Sequence, residues 1–129
     1  MKTEKRITGD IGEEFTCCYL QEKGYQILAR NYSCRYGEID IIAVKDKITA
    51  FVEVKTRKLN PKIRPCLAVT KSKQTRIMRT AYLFLEEQQS RPYMRFDISE
   101  VYLKPNTKEL HHINYIKNAF YKENSNESF

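Results

Sequence analysis

Gly37-Glu38-Ile39-Asp40-Ile41-Ile42-Ala43-Val44, then Lys45-Asp46-Lys47, then Ile48-Thr49-Ala50-Phe51-Val52-Glu53-Val54-Lys55, is the stretch that decides the fold. Two β-branched apolar runs joined by a short polar stretch read as a hairpin. A turn centred on Asp46-Lys47 sets Val44 opposite Thr49, Ile42 opposite Phe51, Asp40 opposite Glu53 and Glu38 opposite Lys55. Side chains alternate along a strand, so Asp40, Glu53 and Lys55 are expected on one face, with Ile39, Ile41, Val52 and Val54 on the other. Carboxylates directly opposite each other weaken a strand pair, and a divalent cation between them reverses that sign. With Lys55 beside the pair, the pattern outlines a metal-dependent phosphodiesterase site. The ordinary alternatives are a pair of edge-exposed charges, or another register that separates them, with Lys55 in a plain ion pair to Glu38 or Glu53.

Upstream, the spacing Asp10-Ile11-Gly12-Glu13 resembles a capping box and Gly24 is a natural stop, predicting a helix from residue 9 or 10 to 23. Its apolar face is expected to be Ile11, Phe15, Cys18 and Tyr19, which leaves Glu13 on the flank of Cys17 and Leu20. A first-turn position also suits Glu13 through the helix dipole, whatever the function. Residues 25–30 read as a strand and 31–36 as a polar turn. Residues 56–69 hold Pro61 and Pro65 and read as a basic loop. A second helix is expected over 70–88, with Ile77, Ala81, Phe84 and Leu85, flanked by Met78 and Tyr82, toward the core. Gln74 then falls on the buried flank near that helix's start. Residues 94–101 and 110–116 read as strands, and 118–129 as a disordered tail. This order predicts an α/β domain over 1–117, a mixed sheet of about five strands with helices packed on it.

The chain has 129 residues, 41% of them hydrophobic and 30% charged, which fits one globular domain. No run has the length of a membrane span and the start lacks the apolar core of a signal peptide, so a cytoplasmic protein without a membrane partner is expected. The four cysteines show no Cys-x-x-Cys pair and are expected to fill the core. His111 and His112 are adjacent on an expected strand, which would point them to opposite faces, away from any shared metal. The net charge is +7, concentrated in one place. From Val54 to Leu85 there is no acidic residue, against Lys55, Arg57, Lys58, Lys62, Arg64, Lys71, Lys73, Arg76 and Arg79. Charge alone leaves a solvated surface and a polyanion-binding patch about equal. Its place directly after the paired carboxylates favours the second, a footprint that nucleic acid selects.

The run Gly12-Glu13, Tyr19-Leu20, Gly24-Tyr25, Asn31, Gly37 to Ala43, Val52-Glu53-Val54-Lys55-Thr56-Arg57, Ala68-Val69, Lys73-Gln74 and Arg95-Phe96-Asp97 closely resembles the YraN-like family of predicted endonucleases. That family is placed in the restriction-endonuclease-like superfamily, and it is also similar to archaeal Holliday junction resolvases in carrying a Glu on its first helix. The resemblance implies a restriction-endonuclease-like core in which Asp40 and Glu53 bind magnesium or manganese and Glu13 completes the acidic cluster. It further implies that Lys55 orients or activates the attacking water, and that Gln74 stands near the site. Ile39 replaces the proline of the nominal signature, and Ile63-Arg64-Pro65 stands where a glycine is expected. The expected activity is metal-dependent hydrolysis of phosphodiester bonds in DNA, branched or structured forms included. Arg57, Lys58, Lys71, Lys73, Arg76 and Arg79 would hold backbone phosphates. Cutting two strands calls for two sites, which leaves a homodimer open. The alternatives are a nucleic-acid-binding module without turnover, and a basic loop that docks an acidic protein.

Overall fold

In the computed structural model, which describes residues 1–89 and 92–122, the strands lie side by side in the order in which the chain makes them. The elements are α1 (Glu4–Glu22), β1 (Gln26–Cys34), β2 (Gly37–Lys45), β3 (Ile48–Lys58), a 3-10 turn (Pro65–Ala68), α2 (Lys71–Glu87), β4 (Tyr93–Leu103) and β5 (Leu110–Phe120). Neighbouring strands are antiparallel except β3 and β4, which run parallel because α2 carries the chain back across the sheet. This mixed five-stranded sheet with a helix on each face is consistent with a restriction-endonuclease-like core. Among the described residues no helix is long and apolar enough to cross a membrane.

The hairpin has the expected register: Val44 opposes Thr49, Ile42 opposes Phe51 and Ile41 opposes Val52. Both of its faces are buried, which is why its strands read as nearly unbroken apolar runs. Ile41, Ala43, Ala50 and Val52 pack with Cys17, Leu20 and Tyr25 on the α1 side. Ile39, Ile42 and Phe51 pack with Ile77, Met78, Ala81, Phe84 and Leu85 on the α2 side. Ile39 therefore does not share a face with Ile41, as strict alternation requires. The alternation breaks at Asp40. On the neighbouring strand, between the pairs Arg30–Ile41 and Tyr32–Ile39, Asn31 sits at φ 51°. Asparagine tolerates that left-handed conformation, so the residue that signals a turn instead kinks a strand that continues to Cys34.

Helix α1 starts well before residue 9. Thr3 caps it by accepting from the Arg6 amide, so Asp10 and Glu13 form no capping box, and Asp10 instead pairs with Lys2 and Arg6. Its buried face is Gly12, Glu13, Thr16, Cys17 and Leu20, while Ile11, Phe15 and Tyr19 are half-buried and Cys18 is exposed. The small side chains at Gly12 and Thr16 let the helix lie close on the sheet, and they outweigh the larger apolar residues in setting its rotation. Helix α2 matches expectation, capped by Thr70 at its start and with Gln88 at its end, except that Tyr82 is exposed rather than part of the core stripe.

Strand β5 runs on to Phe120, whose ring stacks on Phe96 at 5.3 Å, so residues 118–120 belong to the sheet and not to a tail. The rest of the expected tail, 123–129, lies outside the described residues. Between the pairs Tyr102–His112 and Leu103–Leu110, a bulge in strand β5 carries one extra residue, His111. It turns His111 and His112 toward each other, with their Nδ1 atoms 2.7 Å apart, so these rings do not point to opposite faces.

Candidate active site

The β2–β3 ladder ends at Ile41 opposite Val52. Beyond that point β2 continues against β1 down to Gly37, and β3 continues against β4 up to Lys58. The two central strands part, and Asp40, Glu53 and Lys55 stand in the fork. The hydrogen bonding is carried one step further by a side chain: Asp40 Oδ2 accepts from the Val54 amide at 2.8 Å. The expected Glu38–Lys55 pairing is not made, because the two strands have already parted; Glu38 keeps only its partner Ser33 on β1.

Helix α1 crosses the fork at close range. A Cβ at Gly12 would fall 1.7 Å from Thr56 Oγ1, so only glycine allows this approach. The next residue, Glu13, is thereby carried to the mouth of the fork, 6% exposed, with its Oε1 buried and without a hydrogen-bond partner. Burial pushes the Glu13 carboxyl up to about 7, and the Asp40 charge adds to the shift. Its place in the third turn of α1 also removes the helix-dipole explanation for its presence.

Glu53 is half-buried and is pushed up to about 9, first by burial and then by a hydrogen bond to Asp40 and that group's charge; Lys55 and Lys73 pull it back. Burial lowers the Lys55 ammonium, with the charge of Lys73 acting the same way, against the opposing attraction of Glu53 and Asp40. Burial and like charge thus favour the protonated forms of Glu13 and Glu53, and burial disfavours the charged form of the lysine beside them.

These groups line one open cleft of about 820 Å³. Glu13, Asp40 and Glu53 lie within it, and Lys5, Arg6, Arg57, Lys58 and Lys73 supply cations around them. The structure therefore brings Glu13, Asp40, Glu53 and Lys55 together. Gln74 is not among the lining residues, and its Nε2 donates to the Val69 carbonyl at 3.1 Å. Lys71 and Arg76 are exposed on α2, outside the cleft. Arg79 lines a separate hollow with Arg35, Tyr36 and Tyr82. Lys5 and Arg6 escape the sequence reading because it begins the helix too late; Thr3 followed by Glu4 is the cap signal that locates them.

Among the described residues, no three His, Cys, Asp or Glu side chains stand as a ready metal cage. Two oxygen-ligand groups meet directly, however, and the third brings an unpartnered buried oxygen to the same cleft. Hard oxygen donors of this kind suit magnesium or manganese, which keep several waters. The donor set fits such an ion.

A mixed sheet that parts at its centre around paired carboxylates and a lysine defines the class: an α/β domain consistent with the restriction-endonuclease-like core. The chain belongs to the uncharacterised protein family UPF0102, whose model matches residues 12–101. It is 42% identical over 120 residues to a UPF0102 protein of Caldanaerobacter subterraneus subsp. tengcongensis, covering 92% of this chain and 98% of the relative. It is 44% identical over 117 residues to one of Caldicellulosiruptor saccharolyticus (90% and 98% covered), and 39% identical over 121 residues to one of Clostridium perfringens (93% and 98%).

Proposed function

We propose that this chain is a metal-dependent phosphodiesterase acting on nucleic acid, DNA in the first instance, including branched or structured forms. The observation that carries the reading is the meeting of Asp40 and Glu53 at the fork, beside Lys55 and the unpartnered oxygen of Glu13. Buried carboxyl groups crowded against one another form a site whose charge a divalent cation would balance.

Asp40 and Glu53 would hold magnesium or manganese, with Glu13 as a further ligand. When bound, such an ion acidifies a coordinated water and offsets charge on the phosphoryl group. The chain's own residues do the rest. Asp40 is fixed by the Val54 amide, which sets the direction of its free oxygen. Lys55, lowered by burial, stands where it can orient or deprotonate the attacking water, or offset the negative charge that grows in the transition state. Arg57, Lys58 and Lys73, with Lys5 and Arg6 from α1, hold the flanking phosphates without reading sequence.

One observation favours a second reading. The cations Lys5, Arg6, Arg57, Lys58 and Lys73 that line the cleft also suit a module that binds nucleic acid without cutting it. The deciding experiment compares wild type with Asp40→Asn on duplex, single-stranded and four-way-junction DNA, in magnesium, manganese or EDTA. Asparagine keeps an acceptor for the Val54 amide, so the fork survives while the charge is lost. Cleavage that needs the metal and disappears in Asp40→Asn is the expected result. Cleavage that persists in EDTA or in the variant refutes the assignment. Equal salt-dependent binding by both proteins, without cleavage, establishes the binding module.

A further inference from the structure

Beside the cleft, the loop between β3 and α2 holds two large apolar side chains out in solvent. Ile63 and Leu67 are each 68% exposed, an unusual state for both residue types so close together. They are not on a slack segment. Glu100, fully buried on β4, accepts from the Cys66 amide at 2.8 Å and from Arg64 Nε at 3.4 Å, and is itself held by Asn114 Nδ2 at 2.8 Å. Pro65 opens the 3-10 turn, and Pro61 stiffens the approach. A buried carboxylate spent on anchoring this loop fixes Ile63 and Leu67 where water meets them.

Both side chains border a hollow of about 430 Å³ that also takes in Arg57, Lys62 and Arg64. Arg57 and Ala68 line this hollow and the candidate active-site cleft alike, so the two adjoin across these residues. Apolar tips ringed by cations match one surface chemistry well: the face of a nucleobase with phosphates on either side. Two side chains are too little for a protein interface, which covers about 800 Å² on each partner. In an intact duplex the base faces are hidden by stacking. They are presented only where a step is opened, and aliphatic side chains are known to wedge into such steps.

We infer that Ile63 and Leu67 form a wedge that engages an unstacked base step in the nucleic acid, selecting mismatched, flapped or branched DNA over continuous duplex. The inference rests on the nucleic-acid partner of the proposed function and adds the substrate class. The wedge would sit at the opened step while Arg57, shared by both hollows, holds the phosphate that leads into the cleft.

Binding in EDTA separates this from catalysis. Fluorescence anisotropy would compare wild type, Ile63→Ser/Leu67→Ser and Asp40→Asn on continuous duplex, on the same duplex with an unpaired flap, and on a four-way junction. Tm confirms that each variant is folded, and the two serines replace exposed side chains. Wild type is expected to prefer the opened substrates by roughly tenfold. The double serine variant is expected to lose that preference while keeping its affinity for continuous duplex and its salt slope. Asp40→Asn is expected to keep the preference. 2-Aminopurine at the flap base should brighten on binding wild type and not the double variant. A double variant with undiminished preference, a wild type with none, or no binding to any DNA overturns the inference. Capture by anionic vesicles that depends on Ile63 and Leu67, without DNA preference, overturns it in favour of a membrane contact. Metal-dependent cleavage is scored independently, so the nuclease reading can stand while the wedge falls, or the reverse.

Discussion

Replacing Gly12 by alanine should destabilise the protein, although the same change elsewhere in a helix does the opposite. Alanine is favoured over glycine by about 1 kcal/mol in a helix interior. Gly9 and Gly12 both lie in α1, and their surroundings differ completely. A Cβ at Gly9 meets nothing within 4 Å. A Cβ at Gly12 meets Thr56 Oγ1 at 1.7 Å, Thr56 Cβ at 2.9 Å and Thr56 Cγ2 at 3.2 Å. Rotating Thr56 relieves the first contact and not the second, because its Cβ is fixed to the β3 backbone. Helix and strand must then separate, and overpacking of this kind costs about 1–3 kcal/mol. Gly9→Ala should therefore raise stability by up to about 1 kcal/mol, and Gly12→Ala should lower it by about 1–2 kcal/mol after the propensity gain. Urea unfolding at constant m-value measures both. Adding Thr56→Ala to Gly12→Ala removes Oγ1 and Cγ2 and should recover part of the loss, giving a coupling that two distant sites would not show. Gly12→Ala as stable as wild type, or no coupling with Thr56, would refute the close seating of α1 and with it the placement of Glu13.

Two further outcomes follow from buried charge. Glu13 is ordinarily half-protonated at 4.5 and is pushed up to about 7 in the fold, so between those values the folded state holds the proton that the unfolded chain has released. Stability from this group is full below 4.5 and is lost as pH rises through 7, by up to about 3 kcal/mol. Glu13→Gln should flatten that part of the Tm–pH curve, and manganese should restore Tm at pH 8 in wild type, the protons it displaces there coming from Glu53, pushed up to about 9, because Glu13 has already lost its own; calorimetry in two buffers measures the release, and a wild-type curve that rises from pH 5 to 7 with a variant curve parallel to it would sink the argument. Asp97 is fully buried and accepts from Arg95 Nε at 2.9 Å, the Tyr115 hydroxyl at 2.6 Å and the Asn118 amide at 2.9 Å, so Asp97→Ala should cost about 3–5 kcal/mol by stranding Arg95. A loss under 1 kcal/mol in chemical denaturation would contradict it.

The hairpin was legible because alternation and a short polar turn fix its register, and that register carried one step past its last pair points Asp40 toward Glu53. Helix α2 was legible for a similar reason, since Thr70 and a strong apolar stripe leave little choice. Helix α1 was misread at its start and in its rotation. Its buried face is set by the smallest residues, Gly12 and Thr16, which a search for large apolar side chains passes over. The break at Asp40 was hidden because it goes with a kink at Asn31 on the neighbouring strand, and the bulge at His111 because an extra residue shows only once β5 is paired with β4. Glu13 illustrates the gain from structure: its sequence position fits a capping role, and only the earlier helix start removes that explanation.

The parting of β2 and β3 has a consequence for the margins of the sheet. A sheet that ends its pairing normally does so at an outer edge, where bare amides and carbonyls invite other chains to add a strand. Here pairing is interrupted in the middle. The two inner margins face one another, α1 lies across them, and the Asp40 carboxylate occupies the Val54 amide. The molecule acquires a polar recess inside its sheet without opening another margin to strand addition, so the recess and the protection of its walls come from the same interruption.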